Sequence, residues 1–440
     1  FGDSLSQELV PSSSVFLVVE GGLRISGRDV LGEDAGGIPP NRTCICDEDL
    51  PLVEQAWTNH WNGETDNFQL EYRISEEADS ADAILLRSHA LQVSDLNEEV
   101  LAVARAGAGV NNIPLEDCSK RGIVVFNTPG ANANSVKELV LTSLLVSARD
   151  VVGGMSYLGS LKGDLNSNEL EELVEKNKKL FKGYELKGKV LGVIGLGAIG
   201  SAVARTGLDM GMTVTGYDPA LSVEAAWRVP SEVERKNTMV DLFTDADFIS
   251  LHVPLLEETR GLVDAAILKN AKPGLVILNF AREPIVDNQA MMKAIQEGIV
   301  RKYVSDFPVT ELLNNDAVVF TPHLGASTVE AEENCAEMAV DQLIEFLETG
   351  NIVNSVNFPT VSMGRRVGSR LAVVNKNVPG MLGKITSLLA SKNANVADLT
   401  NKSREELAYN LIDIEQEPDD ELLFNLRSLE NVMSVRVITL

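Results

Sequence analysis

Apolar runs alternate with helical patterns along most of this chain. Residues 15–20, 83–88 and 122–127 are apolar runs that predict strands, and residues 97–106 have a pattern that predicts a helix. Strands that alternate with helices predict a parallel sheet with helices on both faces, because crossovers between parallel strands are right-handed. The fold class is therefore predicted to be α/β.

The middle of the chain continues this alternation and ends in a long helix. Residues 189–321 form a second alternating series, and residues 326–350 have helical periodicity. Before that series lie an apolar helical segment, 135–150, and a charged stretch, 166–182, which we expect to be a solvated helix and loop. Residues 358–368 are interrupted by Pro, Gly and Ser, so they are predicted to be a linker.

The last section, residues 369–440, has the pattern of a separate unit. Its predicted strands are 370–375, 396–402, 406–415 and 432–440, and its predicted helices are 381–392 and 419–429. The resulting order, βαββαβ, is typical of a compact ferredoxin-like domain.

The composition is that of a soluble globular protein. The 440 residues, 44% of them hydrophobic and 23% charged, are enough for two or three domains. The net charge of −26 argues against a nucleic-acid partner, because binding to a phosphate backbone needs a basic face. The uncharged, glycine-rich stretch 190–204 is too short for a membrane-spanning helix, so no membrane partner is expected.

Four cysteines are too few for a disulfide framework and indicate a reducing compartment. Cys44 and Cys46 form a C-x-C pair without a second pair, so no metal site is expected. Residues 1–14 lack the apolar core of a secretory signal. We expect a cytoplasmic protein or, if a transit peptide preceded Phe1, one in an organelle stroma or matrix. Residues 21–49 are expected to be a surface loop, to which we assign no function.

The strongest motif is the glycine-rich segment Val-Leu-Gly-Val-Ile-Gly-Leu-Gly-Ala-Ile-Gly, residues 190–200. It follows an apolar strand and opens a helix, and Asp218 ends the next strand 18 residues beyond Gly200. In this context Gly195 makes the tight turn, Gly197 lets the backbone approach a pyrophosphate, and Gly200 allows close helix packing. Asp218 would accept hydrogen bonds from the adenosine ribose and repel a 2′-phosphate. The motif therefore predicts a Rossmann-like domain that binds NAD.

Oxidation of an alcohol by NAD needs a base for the hydroxyl proton and an anchor for the substrate. His323 follows a buried strand and precedes the long helix, which places it near the carboxyl edge of the sheet. Arg282 occupies the matching position one strand earlier and could form a fork for a carboxylate. His252 ends another strand and is as easily structural, and His60 lies in a loop-like region. From the pattern alone, functional and structural roles are about equally plausible for Arg282 and His323.

Several motifs together carry a resemblance to a known family. Four of them follow one another in order and spacing, at residues 191–204, 250–255, 279–287 and 321–325. These four resemble the D-isomer-specific 2-hydroxyacid dehydrogenase family. Upstream, the segments 85–89, 106–113 and 127–138 resemble the substrate domain of the members that act on 3-phospho-D-glycerate, and the terminal unit, with residues 375–382, resembles an ACT regulatory domain.

The resemblance implies an arrangement of domains and a reaction. A flavodoxin-like substrate domain would comprise residues 1–131 and 327–359, the NAD-binding domain residues 132–326, and the ACT domain residues 360–440. The implied reaction is NAD-dependent oxidation of 3-phospho-D-glycerate to 3-phosphohydroxypyruvate, the first step of phosphorylated L-serine biosynthesis. Because the family pairs through its nucleotide domains and ACT units also pair, a homodimer or homotetramer is expected.

The resemblance also implies a catalytic set. Arg282 would hold the substrate carboxylate, and His323 would be the acid-base. A glutamate that pairs with His323 is expected at Glu311 when the segment is aligned on Asp306. Alignment on the following Phe-Pro pair would place Thr310 there instead.

The binding residues follow from the same resemblance. Those for NAD are Gly195, Gly197, Ala198, Ile199, Gly200, Asp218, His252, Val253, Pro254, Thr259, Phe280, Ala281, Asp306 and Gly325. Those for the substrate are Arg87, Ser88, Gly109, Asn132, Arg282 and His323. Asn375, Asn377 and Asn395 match positions that bind serine as an effector. Because bacterial relatives often carry His at the position of Asn375, serine feedback is expected to be weakened or absent.

Two other functions remain open. The first is the same chemistry on another D-2-hydroxy acid, such as glycerate or lactate, against which the ACT-like tail and Arg87 argue. The second is a non-catalytic NADH-sensing interaction protein on the same fold. The net charge and the pair of Asn377 and Asn395 argue against that function.

Overall fold

The computed structural model describes residues 15–20, 42–45, 71–75, 81–161, 163, 165–364 and 367–438. The expectations for residues 1–14, for nearly all of residues 21–49, and for His60 and Cys46 lie outside this part of the chain. The chain divides into two compact units, Phe1–Ala131 with Glu332–Leu440, and Asn132–Ala331. The boundaries of three domains given above stay a prediction.

The first unit contains a six-stranded sheet. Its strands are β1 (Val15–Glu20), β2 (Arg42–Ile45), β3 (Glu71–Ser75), β4 (Ala81–Leu86), β5 (Ala102–Arg105) and β6 (Val124–Phe126), in the order β1-β3-β2-β4-β5-β6. β4, β5 and β6 run parallel, and α1 (Leu115–Arg121) lies between β5 and β6 in the chain. The side chains of these three strands are almost all buried, because the strands form the centre of the unit's core.

Two expectations for this sheet are wrong. Residues 97–106 do not form a helix, because their second half is β5, which pairs with β4 and β6. A short apolar run has no decisive period, so the two neighbouring strands determine its conformation. β1 is a strand, but it runs antiparallel to β2, β3 and β4. The apolar pattern predicts that a strand exists but carries no information on its direction.

The second unit contains a parallel sheet of seven strands. These are β7 (Val190–Ile194), β8 (Thr213–Tyr217), β9 (Glu234–Arg235), β10 (Phe248–Leu251), β11 (Leu275–Asn279), β12 (Val300–Ser305) and β13 (Val318–Phe320), in the order β13-β12-β11-β10-β7-β8-β9. The order reverses between β7 and β10, which is where doubly wound sheets open a ligand crevice at the carboxyl ends of their strands. The predicted Rossmann-like fold is confirmed.

The helices of the second unit agree with the predicted alternation. They are α2 (Ala133–Ala148), α3 (Val151–Ser160), α4 (Ser167–Asn177), α5 (Ala198–Asp209), α6 (Val223–Ala226), α7 (Met239–Asp245), α8 (Ala265–Leu268) and α9 (Asn288–Gln296). α4 begins with a capping box between Asn166 and Glu169 and buries none of its residues, as expected for a solvated helix. No single described helix has the length and apolar character of a membrane span; α2 and α3 pass that test only as a pair, bent by 66°.

The chain returns to the first unit through the long helix α10 (Val329–Thr349). The segment predicted to be a linker is packed rather than open, since Phe358, Val361 and Met363 are buried and Val361 pairs with Ile352. Alternating apolar side chains anchor this segment even though Pro and Gly exclude regular structure.

The predicted βαββαβ unit is present at the end of the chain. It consists of β14 (Ser369–Lys376), α11 (Met381–Ser391), β15 (Val396–Arg404), β16 (Leu407–Ile414), α12 (Asp420–Arg427) and β17 (Val432–Ile438). The antiparallel sheet has the order β15-β16-β14-β17. Leu371 and Ile412 pack with α11 and α12, whereas Tyr409 and Leu411 face the opposite way and join the core of the first unit.

Candidate active site

The glycine-rich turn lies where β7 and β10 diverge. Gly195 has a φ of 85°, and a Cβ on it would lie 2.6 Å from the carbonyl oxygen of His252. A Cβ on Gly200 would lie 1.8 Å from the carbonyl oxygen of Gly195. A Cβ on Gly197, by contrast, would meet no atom within 4 Å. The fold itself therefore requires glycine at 195 and 200, whereas the backbone at 197 faces open space.

Asp218 holds this turn from the end of β8. Its carboxylate accepts hydrogen bonds from the backbone N–H of Leu196 at 2.8 Å and of Ala220 at 3.0 Å. Ala198 and Ile199 open α5, whose N-terminal N–H groups favour a phosphate. The open face at Gly197, this helix N-terminus and the nearby carboxylate fit a dinucleotide, with the pyrophosphate at the turn and the ribose at Asp218.

His252 is half-buried beside that turn. Its Nε2 lies 2.8 Å from the hydroxyl of Ser250, and its Nδ1 is buried without a partner among the described residues. Burial lowers the pKa of His252 to about 3, so the ring stays neutral at physiological pH. The next segment is fixed by Thr259, whose hydroxyl donates to the carbonyl of Pro254 and accepts from the N–H of Leu256.

Arg282 is placed by a buried side chain at the end of β11. The side chain of Asn279 donates to the carbonyl of Arg282 at 3.0 Å and accepts from the N–H of Ala281 at 3.1 Å. Phe280 and Ala281 are buried in this turn. The guanidinium of Arg282 donates to the carbonyl of Ala281 at 2.7 Å, and burial lowers the pKa of the arginine. The turn thus presents one partly desolvated cation at the sheet edge.

Asp306 organises the turn that carries His323. Its carboxylate is 2% exposed and accepts from the hydroxyl of Thr321 at 2.5 Å, from the N–H of Leu324 at 2.8 Å and from the N–H of Gly325 at 2.7 Å. The N–H of His323 donates to the backbone carbonyl of Asp306 at 3.1 Å. His323 has a φ of 57°, a conformation that is unfavourable for a residue other than glycine and is held here by these bonds.

The ring of Phe307 is close to both candidate catalytic side chains. Its ring centroid is 5.9 Å from the guanidinium carbon of Arg282 and 4.9 Å from the centroid of the His323 ring. The ends of β11, β12 and β13 thus bring a cation and an imidazole close to one aromatic ring. A substrate carboxylate at Arg282 and a hydroxyl at His323 would fit this arrangement.

Comparisons with known proteins agree with this geometry. Residues 162–325 match the model of the D-isomer specific 2-hydroxyacid dehydrogenase, NAD binding domain. The D-3-phosphoglycerate dehydrogenase of Haemophilus influenzae is 30% identical over 352 residues, which cover 77% of this chain and 82% of the relative. The chain belongs to this family of dehydrogenases.

Two further relatives support the assignment. The D-3-phosphoglycerate dehydrogenase of Escherichia coli K12 is 29% identical over 382 residues, covering 83% of this chain and 89% of the relative. An NAD+-bound 3-phosphoglycerate dehydrogenase from Entamoeba histolytica has a TM-score of 0.53 and 26% identity, and the similarity covers 71% of this chain and 94% of that structure. NAD is accordingly the cofactor of this 2-hydroxyacid dehydrogenase.

Glu311 is the residue expected to pair with His323. Glu311 lies in an exposed 3₁₀ turn, Thr310–Leu312, and accepts a hydrogen bond from the hydroxyl of Thr310. Within the described ranges no ion pair joins Glu311 to the imidazole. The place of Glu311 in the catalytic set of this dehydrogenase therefore stays a prediction.

The expected substrate residues fall in both units. Arg87 follows β4, and its guanidinium pairs with Glu332 of α10 at 2.6 Å. Ser88 beside it is exposed, and Gly109 is half-buried in the loop after β5. Asn132 belongs to the second unit, where its Oδ1 is buried without a partner among the residues described.

Arg105 is a candidate that the sequence analysis missed. It ends β5, the strand next to β4, so it and Arg87 share one carboxyl edge. The Nε of Arg105 donates to the backbone carbonyl of Arg87 at 3.0 Å. Like Arg87, Arg105 lies at the end of a buried strand, and that position could have identified it. The strand was not predicted, because residues 97–106 were expected to form a helix.

Of the expected effector residues, Asn375 lies in β14, whereas Asn377 directly follows β14 and Asn395 directly precedes β15. Asn375 is buried; its Oδ1 accepts from Asn410 at 2.7 Å, and its amide donates to the carbonyl of Lys376. The amide of Asn377 donates to the carbonyl of Glu405, and the backbone N–H of Asn395 donates to Gln416. Asn377 and Asn395 are exposed, whereas the side chain of Asn375 is committed to the sheet.

Proposed function

We propose that this dehydrogenase oxidises 3-phospho-D-glycerate to 3-phosphohydroxypyruvate with NAD. The observation that carries the proposal is the pair Arg87 and Arg105 at the ends of adjacent parallel strands. Two arginines at one edge suit a phosphate dianion, whereas glycerate and lactate have no group that requires them. The names of the relatives from Haemophilus influenzae and Escherichia coli support the same substrate.

The residues of the second unit divide the work of the reaction. Arg282 binds the substrate carboxylate and orients C2, and the imidazole of His323 takes the proton of the C2 hydroxyl. The bound NAD supplies the acceptor for the hydride from C2. Asp306 holds the His323 turn in place through its hydrogen bonds to Thr321, Leu324 and Gly325.

The test is a comparison of substrates in both directions. NADH consumption is measured with 3-phosphohydroxypyruvate, hydroxypyruvate and pyruvate, and NAD reduction with 3-phosphoglycerate, D-glycerate and D-lactate. We expect turnover confined to the phosphorylated pair. Equal activity on the unphosphorylated acids would contradict the roles of Arg87 and Arg105. NADH binding without turnover on any substrate would favour the sensor function instead.

We also propose that two copies pair through α3. This helix buries none of its residues, and Val151, Val152, Met155 and Leu158 are 50–68% exposed. It carries no charge, so two copies of a strongly acidic chain can meet there without repulsion. In Met155→Asp we expect the mass in solution, measured by sedimentation, to fall by half. An unchanged mass would contradict pairing at α3.

The C-terminal unit is proposed to be an ACT domain with weakened serine feedback. The buried amide of Asn375 is engaged by Asn410 and by the backbone, which leaves Asn377 and Asn395 as the exposed effector residues. We expect millimolar serine to change turnover little. Strong inhibition by serine that the variant Asn377→Ala abolishes would contradict the weakened feedback.

Cys118 and Cys335 are free thiols, which fits a reducing compartment, the cytoplasm or an organelle interior.

A further inference from the structure

A cavity of about 260 Å³ opens at the amino edge of the seven-stranded sheet. It is lined by Tyr184, Lys189, Asp247, Phe248, Gly274 and Arg301. The candidate active site lies at the carboxyl ends of the same strands, and a strand of five or six residues spans about 17–20 Å. The cavity is therefore separate from the site described above, and its residues take no part in the proposed reaction.

The lining comes from the starts of four neighbouring strands. Lys189 precedes β7, Asp247 precedes β10, Gly274 precedes β11, and Arg301 is the second residue of β12. Gly274 has a φ of 83°, and a Cβ on it would meet no atom within 4 Å. The cavity thus lies at the edge of the sheet and is open on the side of Gly274.

Two cations converge on one aromatic ring in this cavity. The guanidinium carbon of Arg301 lies 4.3 Å from the centroid of Tyr184, and its Nη2 donates to the Tyr184 hydroxyl. The Nζ of Lys189 lies 5.7 Å from the same centroid. Tyr184 is anchored by its backbone N–H, which donates to the carbonyl of Ala148 at 3.0 Å. The ring therefore holds the two cations at the mouth of the cavity.

The acidic residue of the cavity, Asp247, attracts Lys189 but forms no ion pair with Lys189 or Arg301 among the described residues. One oxygen of Asp247 pairs with Lys272 at 2.8 Å, and the other accepts from the N–H of Val190 at 2.9 Å. In the part of the chain that the structure describes, neither Arg301 nor Lys189 has a carboxylate within 4.0 Å. In a chain with a net charge of −26, two such cations at one cavity create a local positive potential.

We propose that this cavity is a second anion site, which binds a small phosphate-bearing molecule through Arg301 and Lys189. A guanidinium fork beside an ammonium suits the several oxygens of a phosphate better than a single carboxylate. The partly exposed ring of Tyr184 packs against the fully buried ring of Phe248, with centroids 6.3 Å apart, and supplies an apolar surface for the rest of the molecule. The volume is slightly below the roughly 300–1,000 Å³ of pockets for drug-sized ligands, which limits the occupant to a small metabolite.

The experiment measures binding of inorganic phosphate to the full chain saturated with NADH. Equilibrium dialysis with radiolabelled phosphate at constant ionic strength gives the number of sites, and hydrogen exchange locates them. Wild type is compared with Arg301→Gln/Lys189→Gln. The control is Lys269→Gln/Lys293→Gln, which changes the net charge equally at two exposed lysines of the same unit. NADH binding by both variants verifies their folding.

We expect wild type and control each to bind one more phosphate per chain than the double variant. Any phosphate that the double variant still binds at this site should bind at least about tenfold more weakly. Phosphate should slow hydrogen exchange in residues 183–189 and 300–303 of wild type and control, in which both cations are present. It should not do so in the double variant. Equal site numbers in wild type and double variant would overturn the proposal, as would the absence of protection in those segments. The single variant Arg301→Lys keeps the charge but removes the fork, so we expect an intermediate affinity. None of these readouts depends on turnover, so the result stands apart from the proposed reaction.

Discussion

The edges of the two sheets position their functional side chains in different ways. In the second unit Asn279 and Asp306 act through buried hydrogen bonds, and Gly195 acts through the backbone. In the first unit Arg87 is held by an ion pair with Glu332, whose side chains are 24% and 25% exposed. Buried bonds fix one geometry, because breaking them leaves polar groups without partners. A partly exposed ion pair can instead be exchanged for an anionic substrate at little cost.

The largest effect is expected where the backbone leaves no room for a side chain. Gly200→Ala would put a methyl group 1.8 Å from the carbonyl oxygen of Gly195. We expect the free energy of unfolding to fall by about 3 kcal/mol, and NADH binding to be lost with the shape of the turn. Gly197→Ala is the matched control, since its methyl group meets nothing within 4 Å. Thermal unfolding and NADH titration should separate the two.

The control variant has a defined outcome of its own. Gly197→Ala should unfold like wild type yet bind NADH more weakly, because the methyl group occupies the space where the pyrophosphate approaches. If both variants unfolded at the same temperature, the distinction between a glycine required by the fold and one required by the ligand would fail.

The buried bonds of Asp306 allow the next test. Asp306→Asn places an amide against the N–H of Gly325 or Leu324, so the His323 turn should shift and kcat should fall about ten- to hundredfold. Thr321→Val removes only one of the three bonds and should cost about threefold in kcat. Steady-state kinetics and NADH titration are the measurements.

The same experiment distinguishes two roles for Asp306. If Asp306 acts by positioning His323, the Kd for NADH stays unchanged while kcat falls. A rise in that Kd with unchanged kcat would instead support the contact with the cofactor that the family resemblance implies.

A smaller effect on stability is expected from His252, and this effect depends on pH. The ring stays neutral in the folded chain down to a pKa of about 3, whereas the unfolded chain binds a proton near the ordinary value of about 6.5. Between these values the unfolded state binds more protons, so stability falls as the pH falls. We expect the titration of His252 to lower the free energy of unfolding by about 1–2 kcal/mol between pH 7 and pH 5.

The measurement is the urea midpoint of wild type and of His252→Asn at pH 7, 6 and 5. The difference between the two proteins should shrink towards pH 5, because the variant lacks the titrating ring. A constant difference across this range would mean that His252 is not buried as a neutral group.

The second unit was more predictable from sequence than the first, for a physical reason. The turn at Gly195, Gly197 and Gly200 is encoded within one short segment, so the motif contains its own geometry. The environment of Arg87 depends on Glu332, which lies 245 positions further along the chain. No local pattern reports such a contact.

The missed residues follow the same division. Arg105 was hidden because a short run with several alanines has no decisive period until its neighbours β4 and β6 are known. The role of Asp306 in the turn was not visible either, because its partners lie beyond the next strand, at residues 321–325. The βαββαβ order was readable because each of its elements is long and regular.

The smallest effect should come from the exchangeable ion pair itself. Glu332→Gln removes the carboxylate that competes with substrate phosphate for Arg87, so the KM for 3-phosphohydroxypyruvate should fall about three- to tenfold with kcat unchanged. Glu333→Gln, at the exposed neighbouring position of α10, is the control and should leave KM unaltered. The gain should shrink at high salt, because screening weakens the competition that the variant removes. A higher KM would show that Glu332 orients Arg87 for the substrate, and the first unit would then be held as firmly as the second.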